Sequence, residues 1–493
     1  MSTAQATGRL SAVAPAPHTP IAKRETVGPS ATASPVAPAG AAAPAPETDF
    51  ARMSSGEKVR EKFIPVTPQA LMDRLAQAGA WPNGDAQVAR RLFMYLAQWR
   101  KQQYGAKLIE LARLYEPFSP DSDLLITRTF QEAERASMEG RLVAGVCELM
   151  QQANYTRIDP TQIDIILTKD SHYGLDLHVD LDAFDELEIY YRGAVSKRGS
   201  RRSARKLYLR HEEFEVPVFQ RLAILFKLKP EDKRIVEVMA RDKIDRATAE
   251  RRVRRMRGLI SDQIKPEFVY IKLFKNIPRT DLEMCFPNTK IRFRLFDKIK
   301  LGVTAGGGLG MGVAGTLSKI AVASNPIALA GAVAGLGGIA VRQGVNFMNQ
   351  RNKYMVTMAQ NLYSHALADN RGVMTLLAER AAEEDVKEDV LLYSLLAKER
   401  VHLSQLGEAD AAIERYLSST FGIETNFDLD DALERLKGDG LVSVTADGMI
   451  ETLAPSAAAG RIDQLWDRFL DDLVDGSVSE GIEYEGESPE RLS

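Results

Sequence analysis

Asp176, His178 and Asp180 alternate with Leu177 and Val179, and Asp182 continues the series. On a strand, alternate side chains share a face, so these carboxylates and the imidazole would stand opposite Leu175, Leu177, Val179 and Leu181. Imidazole with carboxylates is a ligand set for Mn, Fe or Zn, and equally an acid/base pair. Asp176, His178 and Asp180 are therefore the candidate metal ligands, with Asp170 and His172 close enough in sequence to contribute. Alternate side chains stand roughly 6 to 7 Å apart, so three adjacent ligands require a distorted strand or a partner element. A half-buried edge strand with a solvated polar face needs no metal and is the preferred reading. Ser171, Ser203 and Cys285 lack a triad signature, and Gly306 to Gly312 lacks the strand, lysine and acidic residue that dinucleotide or phosphate loops require. No catalytic residue and no cofactor is expected. Enzymatic activity stays open, with a non-enzymatic role preferred.

Two basic clusters offer binding chemistry instead. One runs from Arg192 through Lys197, Arg198, Arg201, Arg202, Arg205 and Lys206 to Arg210 with no acidic residue between; the other is Arg251, Arg252, Arg254, Arg255 and Arg257. The chain's formal net charge is -3, which argues against a wholesale nucleic-acid binder. No specific nucleic-acid partner is expected. Anionic lipid headgroups are the favoured partner for these clusters, at an attraction near about 1 kcal/mol per well-placed basic residue.

The elements that would position these groups follow from patterning. Between Leu301 and Val341 the only ionisable residue is Lys319, and the apolar segments Leu301–Ser318 and Ile320–Val341 approach the roughly 20 residues needed to cross a bilayer as helix. Ser324, Asn325 and Pro326 mark a turn, and basic residues flank both ends, so a two-helix transmembrane hairpin is expected with its flanks in the cytoplasm. Gly302, Gly306 and Gly310, with Gly331 and Gly335, recur every four residues and suit close helix packing. The lipid bilayer and further copies of the chain are the expected partners. A multi-pass location in a bacterial inner membrane follows, with most of the chain facing the cytoplasm.

Around the hairpin the expected class is α+β: a helical N-terminal region, a mixed α/β central domain, the transmembrane hairpin and a C-terminal winged-helix-like module. Residues 1–60 are Ala/Pro-rich and expected to be disordered, because they carry too little apolar bulk to offset the entropy of folding. Helical periodicity occupies 61–160, including a helix from about Thr129 to Gln152. The mixed α/β domain fills 161–300, with strand-like runs at Leu187–Tyr191, Phe214–Leu228, Phe268–Phe274 and Ile291–Phe296 and a charged helix between Asp232 and Arg257. Residues 301–341 form the hairpin, and 342–475 a helical and winged-helix-like domain whose Asp447-Gly448 turn joins two short strands. Its supposed recognition helix, Asp428 to Lys437, begins acidic and would repel phosphate, so a packing or protein-contact role is preferred. Residues 476–493 form an acidic tail expected to be disordered. Two cysteines are too few for a disulfide scaffold.

Leu187-Glu188-Ile189-Tyr190-Tyr191-Arg192-Gly193, the block Ile271 to Pro287 and Phe296-Asp297-Lys298 resemble an uncharacterised domain family. It is the family that includes the mitochondrial transmembrane protein 143 of animals and related bacterial and plant proteins. The likeness spans roughly Leu125 to Val444 and implies a membrane protein with a paired hydrophobic segment, without any established reaction. Arg192, Lys272, Lys275, Arg279, Asp281, Glu283 and Asp297 are the charged positions that match. Arg192, Arg198, Arg202, Lys275, Arg279, Asp281 and Asp297 are accordingly the candidate lipid or domain contacts. The function expected is an integral-membrane scaffold or membrane-organising protein that self-associates through its Gly-rich hairpin. A membrane-tethered metal-dependent enzyme or an oligomeric small-solute or ion transport assembly is the alternative.

Overall fold

The computed structural model describes residues 60–81, 85–122, 129–159, 175–202, 211–258, 260–287, 289–293 and 362–472. Its centre is an antiparallel sheet in the order β1-β3-β4-β5-β7, formed by Thr156–Arg157 (β1), Phe184–Arg202 (β3), His211–Leu228 (β4), Tyr270–Pro278 (β5) and Ala366–Asp369 (β7). A separate pair joins Leu175–Val179 (β2) to Thr289–Phe293 (β6). Strands β3 and β4 are paired from Phe184 opposite Leu228 to Arg202 opposite His211.

Both faces of this sheet are covered, which explains why β4 reads as a nearly unbroken apolar run rather than an alternation. Tyr190, Ala223, Leu225, Ile271 and Leu273 face helices, while Ile189, Tyr191, Leu222, Ile224 and Phe226 face Phe184, Phe286 and Leu282. The helices on the first face are Ala86–Tyr115 (α2), Glu132–Gln152 (α3) and Asn370–Leu396 (α6). Pro68–Leu75 (α1) precedes them, with Thr67 Oγ1 accepting from the Ala70 amide as N-cap. Glu231–Asp242 (α4) and Arg246–Arg257 (α5) form an arm between β4 and β5. The C-terminal part is Leu406–Phe421 (α7), Leu429–Gly438 (α8), the hairpin Val442–Val444 (β8) with Ile450–Thr452 (β9), and Pro455–Asp472 (α9).

Helix α6 runs through two hydrophobic cores. Val373, Leu377 and Ala381 belong to the sheet core, whereas Val390, Leu392 and Tyr393 belong to a second core with α1, α7, α8 and α9. Helix α2 is divided likewise, with Leu92, Phe93 and Leu96 in the second core and Leu111, Leu114 and Tyr115 in the first. Helices from the segments 61–160 and 342–475 therefore share one core.

The expected membrane architecture requires correction. Among the described residues no helix is long and apolar enough to cross a membrane. The long helices α2, of 30 residues, and α6, of 27, carry charges along their length and bury one or more faces in protein cores. Arg90, Arg91, Arg100 and Lys101 interrupt α2, and Glu383 to Asp389 interrupts α6. The segment 301–341, with Gly302, Gly306, Gly310, Gly331 and Gly335, lies outside the described residues, as does Asp297. The fold class is therefore corrected to mixed α/β around a five-stranded antiparallel sheet, with no two-helix transmembrane hairpin among the described residues. The multi-pass placement in a bacterial inner membrane, with most of the chain facing the cytoplasm, is withdrawn with it. Length and lack of charge alone favour a span, whereas Gly and Ala contribute far less transfer energy per residue than Leu.

In the C-terminal module, α8 packs inward through Leu429, Ala432, Leu433 and Leu436. Its most telling charge, Arg435, points at α6 rather than outward. The helix in the recognition position is thus already docked.

Candidate functional site

Where the two cores meet, α6 carries Glu384, Asp385, Lys387, Glu388 and Asp389, each at most 5% exposed. A charged run of this kind ordinarily marks a solvated face; here other elements surround it and bring the counter-charges. Arg100, from the middle of α2, donates through Nε to Asp389 Oδ2 at 2.7 Å and through Nη2 to Asp439 Oδ2 at 2.6 Å. Trp99 Nε1 donates to the other Asp439 oxygen at 3.0 Å. Arg435, from α8, donates to Asp389 Oδ1 at 3.0 Å and Glu388 Oε2 at 2.7 Å, and lies 3.3 Å from Asp385 Oδ1. Such forked geometry is what a guanidinium supplies and an ammonium does not.

Neutral donors complete the layer. Tyr104 OH donates to Asp385 Oδ2 at 2.8 Å and Asn154 Nδ2 donates to Glu388 Oε1 at 2.9 Å. Asn154 has φ 59°, a left-handed conformation that Asn tolerates, and it ends α3 with the Tyr155 amide donating to Met150 O. That helix end aims its amide at α6. Lys387 Nζ donates to Ile64 O at 2.6 Å and pairs with Glu384 Oε1 at 2.8 Å, while the Ile64 amide donates to Glu384 Oε2 at 3.1 Å. The segment before α1 is thereby tied to α6.

Five carboxylates (Glu384, Asp385, Glu388, Asp389, Asp439) meet four cations (Arg100, Arg192, Lys387, Arg435). The surplus acid has a consequence for protonation. Burial pushes Asp385 up to about 6 and Glu388 up to about 8, against the pull of Arg435. Burial also raises Asp439, opposed by Arg100, and lowers Lys387, opposed by Glu384. Desolvation works against the Arg435 guanidinium, but Asp389, Asp385 and Glu388 outweigh it and hold it charged. The cluster thus keeps a proton near neutrality, on Glu388. Turning the Asn154 amide over exchanges donor for acceptor, so the same contact serves either protonation state.

Perturbed acids can mark catalytic sites, but structural ion networks perturb them too. Each of these acids already has a guanidinium, ammonium, amide or hydroxyl partner. The arrangement joins α2, α3, α6, α8 and the chain before α1 at one buried layer.

The exposed chemistry lies on the arm. Lys243, at φ 51°, ends α4, and Asp245 Oδ2 caps α5 by accepting from the Thr248 amide at 3.1 Å. Ile235, Val238, Ala249 and Val253 form the arm's own small core. Arg251 and Arg255 lie on the opposite side of α5, with Arg252 and Arg254 on its flanks. Arg252 pairs with Asp242, Arg246 with Glu250, and Arg241 with Asp182. Arg251 reaches only the Ala247 carbonyl, Arg254 stands 3.8 Å from Glu231 while 75% exposed, and Arg255 has no ion pair among the described residues.

The residues singled out from sequence are dispersed. Asp180 accepts from Arg234 Nη2 at 3.0 and 3.2 Å. Asp176 and His178 lie on β2 with their backbones opposite Arg292 and Lys290 of β6. Among the described residues no group of three or more His, Cys, Asp or Glu is placed to hold a metal ion. Arg192 lies inside, with Nη1 donating to Ala153 O at 3.2 Å, Glu384 at 3.4 Å, and its guanidinium over the Phe63 and Tyr155 rings. Arg198 and Arg202 lie on β3 opposite Glu215 and His211, and Lys275 on β5 opposite Arg221. Arg279 and Asp281 fall in the short 3-10 helix Arg279–Cys285 that follows β5.

Sequence reasoning missed the α6 cluster. A signal was present: Leu376, Leu377, Ala378, Ala381, Ala382, Val386, Val390, Leu391 and Leu392 leave no polar face for the charges between them. A helix apolar all round is a buried helix, and its charges must then be paired. No solved structure matches the chain. Residues 184–372, from β3 to the first turn of α6, match the model of a family described as "Protein of unknown function (DUF3754)", a stretch that includes β3, β4, the arm, β5 and β7.

Proposed function

We propose that the protein is a non-enzymatic, self-associating scaffold. Its body, locked through α6, presents the arginine-rich α5 of one copy to the acidic segment 476–493 of another. The observation that carries the reading is the outward face of α5, where Arg251 and Arg255 are exposed with no ion pair among the described residues and Arg254 is held by Glu231 only at 3.8 Å. Asp242 and Glu250 of the arm are already used by Arg241, Arg252 and Arg246. Glu480, Glu483, Glu485, Glu487 and Glu490 supply the opposite charge within the same chain. Charge complementarity of this kind favours fast, salt-sensitive association. The finer kinship with the family that includes transmembrane protein 143 is also part of the proposal, because Leu187–Gly193 and Ile271–Pro287 fall inside the matched domain.

The test is the native mass of the full chain beside a chain ending at Asp475. The full chain should form oligomers that the shortened chain does not. Equal masses would refute the pairing of arm and tail.

A further inference from the structure

A cleft of ≈ 150 Å³ opens between the end of α1, the C-terminal end of α6 and the middle of α7. Leu75, Leu391, Ile413 and Tyr416 form apolar walls. Ser394, in the last turn of α6, and Lys398, two residues past its end, are polar groups that line it. Ser394 is 3% exposed, and its Oγ has no hydrogen-bond partner among the described residues. A buried hydroxyl left in this state costs stability unless something supplied from outside accepts or donates to it.

Lys398, exposed at the rim, is the second polar group. Its Nζ lies 4.5 Å from the centre of the Trp81 ring and pairs with no carboxylate among the described residues, although Glu399 shares the mouth of the cleft. Desolvation alone moves its pKa, downward, with no acid to oppose it. A ring face attracts the ammonium without neutralising it. Apolar walls, one unsatisfied hydroxyl and one cation without a carboxylate partner together suit a small amphipathic anion.

We propose that this cleft binds a small monocarboxylate with an apolar body, its carboxylate shared by Lys398 Nζ and Ser394 Oγ and its tail against Leu391 and Ile413. Binding would satisfy both polar groups at once. It would also bridge α6 to α7 at the opposite end of α6 from the sheet.

Octanoate and 1-octanol, titrated calorimetrically into the full chain, separate the headgroup from the tail. Octanoate should bind one-to-one and at least about tenfold more tightly than octanol. Lys398→Met, which keeps the bulk, should abolish that preference, and Ser394→Ala should weaken octanoate while leaving octanol unchanged. Ile413→Trp should fill the cleft and remove both. Thermal melting of each variant establishes that it is folded. Absence of saturable binding, equal affinity for the two probes, or octanoate binding that survives Lys398→Met or Ile413→Trp would overturn the proposal.

Discussion

Arg435→Met removes the one cation that serves three α6 carboxylates. Asp389 keeps Arg100 at 2.7 Å, Asp385 keeps the Tyr104 hydroxyl and Glu388 keeps the Asn154 amide. None of the neutral donors replaces a charge. Breaking a buried ion pair by removing one partner costs about 3 to 5 kcal/mol, and Arg435 is only 19% exposed. The loss should depend on pH in a definite direction. Glu388 titrates at about 8 in the folded protein against an ordinary 4.5, and Asp385 at about 6 against 3.8. Between each pair of values the folded state binds more protons than the unfolded chain, so stability falls as pH rises through that window. Without Arg435 both carboxylates move further up, and the penalty above about pH 8 deepens. At about pH 5.5 most of the charge is already neutralised, and the gap between parent and variant should be smaller by at least about 1.4 kcal/mol, the equivalent of one pKa unit. Urea denaturation of both proteins at about pH 8.5 and pH 5.5 measures it. Glu388→Gln in the Arg435→Met background should restore stability at the higher pH by removing a stranded charge. A gap below about 1 kcal/mol, or one that widens on acidification, would refute the reasoning.

Other substitutions probe separate parts of the fold. Gly193 has φ +74° and a Cβ there would clash with Gln220 Oε1, so Gly193→Ala should cost about 1 to 2 kcal/mol in thermal denaturation. Leu392→Ala, at a fully buried position of the second core, should cost about 2 to 5 kcal/mol by the same measurement. Asp245→Ala removes the α5 cap and should cost about 1 kcal/mol, with faster amide exchange confined to the arm because the arm has its own core.

Much of the central sheet could be read from residues. The runs Leu187–Tyr191, Phe214–Leu228 and Phe268–Phe274 fall within β3, β4 or the approach to β5, since β-branched and aromatic residues bounded by polar ones fit a pleated surface. The expected helix to Gln152 is α3, which ends there because Asn154 accepts the left-handed turn. One charged helix expected between Asp232 and Arg257 is two, since Lys243 breaks it and Asp245 restarts it. Local chemistry gave that break, but the apolar periodicity ran through it. The α6 layer was harder, because Arg100, Asn154 and Arg435 are far from α6 in sequence and only tertiary contact reveals their pairing. Arg192 is expected from sequence at a lipid or domain contact, and tertiary structure places Phe63, Tyr155 and Glu384 around it.

Sedimentation velocity on the full chain and on Arg251→Glu/Arg255→Glu, at low ionic strength and at about 1 M salt, tests the scaffold role most directly, because a Debye length of about 3 Å suppresses exposed ion pairs. Both residues are exposed and outside the buried layer, so the variant should fold as the parent does. The proposed assembly requires oligomers of the parent at low salt that dissociate at high salt and are absent in the variant. A parent that is monomeric at low salt, or a variant that associates equally well, would contradict it.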